Sequence, residues 1–210
     1  MRLNHQRSTV FMDARDVLVV KLMDNELIDI CWDISKSKLK TWFINHKNCD
    51  ILVVTGFIAR TCDDLPTTLK RNGSDFSATI FSALVKAQTV TIWKDVDGMY
   101  DKDPKKYSDA VLIPYQTFEE AEEASLHGAF VLQKDCIEPA RQNNIPIFIR
   151  NSFNLLCPGT RIGPTMNSRV ASDKTIFFMD ESKTSDWSNS SDISIEDSIQ
   201  TWLLIHSQVL

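Results

Sequence analysis

The chain has 210 residues, of which 23 are Lys or Arg and 28 are Asp or Glu, and its formal net charge is −5 at pH 7. The basic residues are scattered among acidic ones, so the basic stripe of a nucleic-acid-binding domain is absent. No stretch is long and apolar enough to predict a membrane-spanning helix. The five cysteines have no C-x-x-C spacing and the four histidines have no metal-ligand spacing, which favours free, buried thiols and no metal site. We therefore expect neither nucleic acid nor membrane as a partner.

The first part of the chain predicts two strands around a helix. A β-branched run at 16–21 is typical of a strand, and residues 33–47 predict a helix with Asp33 as its N-cap. The run at 50–58 is continuously apolar, as in a parallel strand that is buried on both faces. A polar loop, residues 59–73, is expected to follow it.

The next elements continue this alternation of strand and helix. Residues 74–87 have apolar side chains at helical spacing, and residues 89–93 predict another buried strand. Asp97-Gly98 indicates a turn, and Asp103-Pro104 indicates a second break because proline disfavours helix in the residue before it.

Thr117-Phe118-Glu119-Glu120 matches a capping box and predicts a helix to about Leu126. A further helix is expected within 131–142, and a strand at 145–150. This order of elements predicts an α/β fold with a largely parallel sheet.

The character of the sequence changes after about Ile162. Residues 180–195 are rich in Ser and Asp, which predicts a flexible linker or tail. The apolar run Trp202-Leu203-Leu204-Ile205 predicts a short C-terminal helix. We therefore expect a divergent tail at 163–210.

One segment, TTLKRNGSDFSA at 67–78, lies between a predicted strand and a predicted helix, where open α/β sheets bind ligands. The helix start at Ser74 suits phosphate or carboxylate, and Arg71 offers a planar fork for a carboxylate. A purely structural interpretation stays open, in which Asp75 stabilises the helix N-terminus and Arg71 is a surface residue.

A second segment, WKDVDGMYDKDPK at 93–105, also follows a predicted strand. Tyr100 has the ring to pack on a planar base, and Lys105 has the charge to contact a phosphate. The alternative is a polar loop with turn-forming aspartates.

These segments resemble two signatures of the aspartate kinases, T-T-L-x-R-x-G-S-D-x-[ST]-A and W-[TK]-D-V-D-G-[VI]-Y-x-x-D-P. Two further stretches, IPYQTFEEAEEASLHGAFVL and IPIFIRNSFNLLCPGT, are similar to later motifs of the same family, in the same order. Two segments, FMDARDVLVV and VVTGFIA, resemble the branch of this family in which plants have the kinase fused to homoserine dehydrogenase. The resemblance covers residues 11–162.

The resemblance implies roles for individual residues. In the family, the first signature holds aspartate and organises transfer of the ATP γ-phosphoryl group, which implies catalysis by Arg71 and Asp75 and substrate binding by Arg71, Asn72, Gly73 and Ser74. The second signature lines the ATP site, which implies that ATP, with Mg²⁺, contacts Ser74, Lys94, Asp95, Tyr100, Asp103, Pro104 and Lys105.

The resemblance also implies a three-layer αβα sandwich of the amino-acid-kinase (carbamate-kinase-like) type at 11–162. The implied reaction makes 4-phospho-L-aspartate from ATP and L-aspartate, for lysine, threonine and methionine biosynthesis. Pairing with other kinase subunits, as a homo- or hetero-oligomer, is an implied partnership. The resemblance implies a chloroplast location. Residues 1–8 are basic but short for a transit peptide, so the alternative location is the cytoplasm.

The chain also departs from the family pattern. The K-F-G-G-[TS] loop, whose Lys contacts the transferring phosphate in the family, has no match here, and Lys105 stands where many members have Arg. The regulatory and dehydrogenase parts have no match after Ile162. These departures predict an N-terminally truncated domain. They leave open an alternative function, a catalytically inactive kinase domain that binds nucleotide weakly or associates with kinase subunits.

Overall fold

A computed structural model describes residues 8–23, 27–46, 51–126 and 131–164, together with the backbone of 202–206. The chain divides into two compact units. One contains residues 1–67 and 169–210, and the other contains residues 68–168. Among the described helices, none has the length and hydropathy needed to cross a membrane.

Within the described residues, runs of three or four strands separate most of the helices along the chain. The strands are β1 (Thr9–Met12), β2 (Val19–Leu22), β3 (Ile28–Ile30), β4 (Ile51–Thr55), β5 (Ile58–Thr61), β6 (Pro66–Thr68), β7 (Val90–Lys94), β8 (Met99–Tyr100), β9 (Leu112–Ile113), β10 (Tyr115–Thr117), β11 (Ile147–Asn151), β12 (Thr160–Gly163) and β13 (Trp202–His206). The helices are α1 (Trp32–Asn45), α2 (Gly73–Leu84), α3 (Phe118–Leu126) and α4 (Lys134–Gln142).

The first unit contains two sheets. In one, β4 lies between β1 and β13 and is parallel to both. In the other, the order is β3-β2-β5-β6, with β2 antiparallel to β3 and parallel to β5. The buried Ser35 hydroxyl, from α1, accepts a hydrogen bond from the Val19 N–H at 3.0 Å. This bond ties the helix to β2 and pairs a polar group that burial would otherwise leave unsatisfied.

The C-terminal segment is a strand where the sequence predicts a short helix. Trp202–His206 forms β13, which pairs in parallel register with Ile51–Thr55 along its whole length. A short apolar run does not distinguish strand from helix by its periodicity. The edge of β4 decides the outcome, because five residues are too few for a stable helix but enough to complete a strand ladder.

The second unit is built on the four-stranded sheet β10-β12-β11-β7. The β7–β11 and β10–β12 pairs are parallel, and the β11–β12 pair is antiparallel. Helix α2 packs against α4, and α4 also packs against α3. The fully buried side chains of this unit include Ile80, Phe81, Ile137, Ile147 and Ile149.

The predicted capping box is confirmed. The Glu120 N–H donates to Thr117 Oγ1 at 3.1 Å, and the Thr117 N–H donates to Glu120 Oε2 at 2.7 Å. The two residues thus satisfy each other's backbone donors at the start of α3.

Three other local predictions are wrong. Helix α1 begins at Trp32 with Cys31 as N-cap and no side-chain cap bond, so Asp33 lies in the first turn instead of capping it. Strand β7 is covered on one face only, since Trp93 is 47% exposed. The predicted loop at 59–73 contains most of β5 and all of β6, because pairing within the sheet overrides its polar composition.

The cysteines have different environments. Cys136 is 1% exposed, as predicted, and Cys49 lies outside the described residues. Cys31 and Cys157 are half-buried and Cys62 is exposed, which contradicts the prediction that all are small core residues.

Candidate active site

The loop before α2 turns sharply into the helix. Lys70 and Asn72 both have left-handed backbone, with φ of 59° and 57°. The Gly73 N–H donates to the Lys70 carbonyl at 3.0 Å, so the helix begins there. In a helix that starts at Gly73, the N–H groups of Ser74 and Asp75 have no carbonyl four residues back inside the helix, and the Asn72 side chain makes no cap bond. Such donors suit an anionic ligand.

An ion pair joins the two signature segments. Lys94 is the last residue of β7, and its Nζ lies 2.5 Å from Oδ2 of Asp75 in the first turn of α2. The two side chains are 24% and 12% exposed. The strand end and the helix start therefore place a cation and an anion side by side, largely shielded from water.

The surroundings of Asp75 favour its protonated form more than water does. Burial raises the pKa of Asp75 above its ordinary value, and the Lys94 ammonium opposes this rise only in part. Cys136, at the start of α4, donates to the Asn72 carbonyl oxygen with an Sγ–O distance of 3.7 Å. Burial, followed by the nearby Asp75 charge, raises the pKa of the Cys136 thiol to about 12. Cys136 is therefore a neutral thiol that holds the start of α2 against α4.

The loops that follow β7 and β11 are hydrogen-bonded to each other. Asp97 Oδ1 accepts from Asn151 Nδ2 at 2.7 Å and from Asn154 Nδ2 at 3.0 Å. The carbonyl oxygen of Lys94 accepts from the Ser152 N–H at 2.9 Å and from its hydroxyl at 3.0 Å. These bonds fix the backbone from which Lys94 projects.

Tyr100 lies on the short ribbon of β8 and β9. The buried Thr160 hydroxyl accepts from the Met99 N–H at 2.8 Å and donates to the Ile113 carbonyl at 2.6 Å, which ties both strands of the ribbon to β12. Burial, with a smaller contribution from Asp97, raises the pKa of Tyr100. Its phenol is therefore neutral at physiological pH and half-exposed.

Asp103 shapes a turn. Its Oδ1 accepts from the Lys105 N–H at 3.0 Å, its Oδ2 lies 3.4 Å from Lys106 Nζ, and Pro104 lies inside the turn. An aspartate that bonds to the backbone two residues later is a common turn device. This contact agrees with the turn-forming interpretation of Asp103 and places Lys105 in an exposed position.

The structure brings some of the predicted site residues together and leaves others in solvent. Asp75 and Lys94 are in direct contact, with Ser74 adjacent, whereas the side chains of Arg71 and Asp95 are exposed. The sequence interpretation missed five residues that hold the site in place, namely Cys136, Asn151, Ser152, Asn154 and Thr160. All except Cys136 lie within the motif IPIFIRNSFNLLCPGT, so a signal was present, but nothing in the sequence connected them to Asp97, Lys94 or Met99.

Comparison with known proteins identifies related sequences. Residues 5–151 match the model of the amino acid kinase family. Over 152 residues, the chain is 49% identical to the chloroplastic bifunctional aspartokinase/homoserine dehydrogenase of Daucus carota and to enzyme 1 of that name from Arabidopsis thaliana. Each alignment covers 72% of this chain but only 16% and 17% of the relatives, respectively. The chain thus spans about one sixth of the length of these relatives.

A solved structure shows the same fold. The crystal structure of E. coli aspartokinase III in complex with aspartate and ADP matches with a TM-score of 0.69 and 28% identity, covering 75% of this chain and 35% of that one. The match confirms the predicted α/β fold class, and the predicted resemblance to aspartate kinases is also confirmed. The family model covers well over half of the sequence, and the chain belongs to the amino acid kinase family.

Proposed function

We propose that this protein is an aspartate kinase, which transfers the γ-phosphoryl group of ATP to the side-chain carboxylate of L-aspartate. The observation that carries the proposal is the Asp75–Lys94 ion pair, which joins the two signature segments at the N-terminus of α2. The similarity to plant aspartokinases, and to a bacterial aspartokinase solved with aspartate and ADP, supports it.

In the proposed reaction, a carboxylate oxygen of aspartate attacks the γ-phosphorus of ATP. The bond from that phosphorus to the β,γ-bridging oxygen breaks, so the products are 4-phospho-L-aspartate and ADP. Phosphoryl transfer of this kind depends on alignment and on stabilisation of charge. The N–H groups of Ser74 and Asp75 supply fixed donors for phosphate oxygens, and Arg71 has the geometry to hold a substrate carboxylate.

Lys94 adds a positive charge beside these donors. Its ammonium has three N–H groups, and the contact with Asp75 occupies one of them, which leaves donors for the transferring phosphoryl group. We assign Asp75 the role of orienting Lys94. The hydrogen-bonded loops around Asp97 support this role, because they fix the backbone of Lys94.

The nucleotide is proposed to lie along the segment from Lys94 to Lys105. The half-exposed ring of Tyr100 offers a surface for adenine, and Lys105 is an exposed point charge for phosphate. Among the described residues, no group of three or more His, Cys, Asp or Glu side chains is placed to hold a metal. We propose that Mg²⁺ enters with ATP, because Mg²⁺ in such sites is usually bound by substrate phosphates and one or two carboxylates.

The wider role is proposed from the relatives. Aspartate phosphorylation would serve lysine, threonine and methionine biosynthesis, and relatives named chloroplastic support a chloroplast location. Assembly with further kinase subunits is part of the same proposal.

The reaction is tested by trapping its product. Purified protein is incubated with ATP, Mg²⁺, L-aspartate and hydroxylamine, which converts an acyl phosphate into a coloured hydroxamate. We expect hydroxamate to form with the parent protein, and Asp75→Asn to lower the rate by about 10²-fold, near the cost of losing one charge-stabilising group. Asp109→Asn is the matched control. It removes a carboxylate from an ion pair with Lys102 in which Asp109 is 76% exposed, and it should leave the rate unchanged.

A titration with an ATP analogue separates the kinase from the alternative function. Tyr100→Ala should weaken binding, whereas Asp75→Asn should retain it. Nucleotide binding without any hydroxamate would contradict the kinase and favour a non-catalytic nucleotide-binding domain. Equal binding by Tyr100→Ala and the parent would show that the nucleotide lies elsewhere.

A further inference from the structure

Two cysteines meet across strand β2 in the first unit. Cys31 follows β3 directly and Cys62 follows β5, and these strands flank β2 on opposite sides. Val20 of β2 pairs with Ile30 on one side and with Thr61 on the other, and Cys31 and Cys62 directly follow these two partners, beyond the ends of β3 and β5. The two Sγ atoms are 3.1 Å apart.

We propose that Cys31 and Cys62 are a reversible thiol–disulfide pair that closes when the protein meets a disulfide oxidant. A disulfide bond is about 2.05 Å long, so closure requires the sulfurs to approach by about 1 Å. Both thiols are free in the described structure, and the pair lies outside the segments assigned to the proposed kinase site.

The two thiols differ in access. Cys62 is exposed, whereas Cys31 is half-buried between the end of β3 and the start of α1. Burial, and then the hydrogen bond with Cys62, raises the pKa of the Cys31 thiol to about 11. Cys62 is therefore the sulfur that an external oxidant reaches first, and Cys31 is the resolving thiol. The 3.1 Å separation places it within reach of the Cys62 sulfur.

The exchange is balanced with a low-molecular-weight disulfide as the oxidant. The Cys62 thiol loses its proton, and its sulfur attacks one sulfur of the oxidant, which releases the first thiolate and leaves a mixed disulfide on Cys62. Cys31 then loses its proton and attacks the Cys62 sulfur, which releases the second thiolate. Two protein thiols are oxidised to one disulfide and the oxidant is reduced to two thiols, which take up the two protons.

The bond would join the end of β5 to the start of α1 and close the loop of residues 31–62. Cross-linking residues that are distant in sequence restricts the unfolded chain more than the folded one. We therefore expect oxidised protein to unfold at a higher temperature than reduced protein, with the difference removed by a dithiol reductant.

The full chain is oxidised with excess glutathione disulfide, blocked with N-ethylmaleimide, and analysed by intact-mass and peptide mass spectrometry. We expect an intact mass lower by about 2 Da, corresponding to two hydrogens, apart from the maleimide adducts. When the maleimide is added in denaturant, so that the buried Cys136 also reacts, two of the five cysteines should resist it, and one cross-linked peptide pair should contain Cys31 and Cys62. Dithiothreitol should restore both thiols.

Single serine variants provide the controls. Cys31→Ser should leave a glutathione adduct on Cys62 with no intramolecular bond, and Cys62→Ser should abolish the bond. Cys157→Ser, which removes a half-buried thiol elsewhere, should keep it. A bond that persists in Cys31→Ser, or a stable glutathione adduct on Cys62 as the end product in the parent protein, would overturn the proposal. The peptide map of the parent decides the matter even where a variant fails to fold.

Discussion

Replacing Lys94 with methionine tests the electrostatics of the candidate site. The substitution keeps most of the aliphatic stem and removes the ammonium that contacts Asp75 at 2.5 Å. The Asp75 carboxylate then loses its cation at a position where its side chain is only 12% exposed. A carboxylate that is desolvated without a partner costs free energy, so we expect the variant to be less stable.

The magnitude follows from the burial of the pair. Exposed ion pairs contribute about 0–1 kcal/mol, whereas removing one partner of a buried pair costs about 3–5 kcal/mol. The pair is mostly but not fully buried, and we expect Lys94→Met to lower the free energy of unfolding by about 2–3 kcal/mol. The double variant Lys94→Met/Asp75→Asn should lose less than the sum of the single losses, with a coupling of about 1–2 kcal/mol.

The loss should depend on pH. Burial raises the pKa of Asp75 in the folded state, so the folded protein binds this proton more tightly than the unfolded chain. Stability from this group is therefore fully present below the ordinary Asp pKa and is lost as pH rises through the folded pKa. Lys94 lowers the folded-state pKa of Asp75, so without Lys94 this pKa is higher and the stabilisation from protonated Asp75 persists to higher pH. The penalty should be largest near neutral pH and smaller in mild acid.

Urea unfolding of the variants at about pH 5 and about pH 7.5 measures both effects. The control is Lys102→Met, which removes a cation from the exposed Asp109 pair and should cost at most about 1 kcal/mol. If Lys94→Met costs no more than this control, or costs the same at both pH values, the Asp75–Lys94 pair does not stabilise the fold as a buried ion pair.

Three further substitutions test the framework around the site by urea unfolding. Gly159 has a φ of +81°, and a Cβ there would lie 2.0 Å from a backbone oxygen, so Gly159→Ala should lower the free energy of unfolding by at least about 2 kcal/mol. The control is Gly163→Ala, which should lower it much less because the nearest atoms to a Cβ there are at 3.4 Å. Equal losses for the two variants would contradict this geometry. Thr117→Ala should lower stability by about 1 kcal/mol through loss of the cap bond to the Glu120 N–H, and Thr117→Ser should retain it; an unchanged Thr117→Ala would mean that the cap contributes nothing. Thr160→Val should lower the free energy of unfolding by about 1–3 kcal/mol, because it leaves the buried Met99 N–H without its acceptor. Thr160→Ser keeps the hydroxyl, so a loss of the same size in that variant would point to packing instead of hydrogen bonding.

Local sequence determined the elements whose signals are contained within a few residues. The capping box at Thr117 is one example, because both partners lie within a single turn and no distant contact is needed. Helix α2 is another, since its apolar spacing and the preceding Asn-Gly turn fix its start to within a residue of the prediction. Motif order determined the family, which the family match confirms.

Only the tertiary structure decided the features that depend on pairing between distant segments. The last strand was predicted as a helix because its partner, β4, is about 150 residues earlier in the chain. Likewise, the contacts Asp75–Lys94, Asp97–Asn151 and Cys31–Cys62 join residues that are 19, 54 and 31 positions apart. The sequence specified which side chains are available for this chemistry. The tertiary packing decided which of them meet, because the strands of a sheet, together with the helix and loop ends beside them, bring residues within ångströms of each other at any separation along the chain.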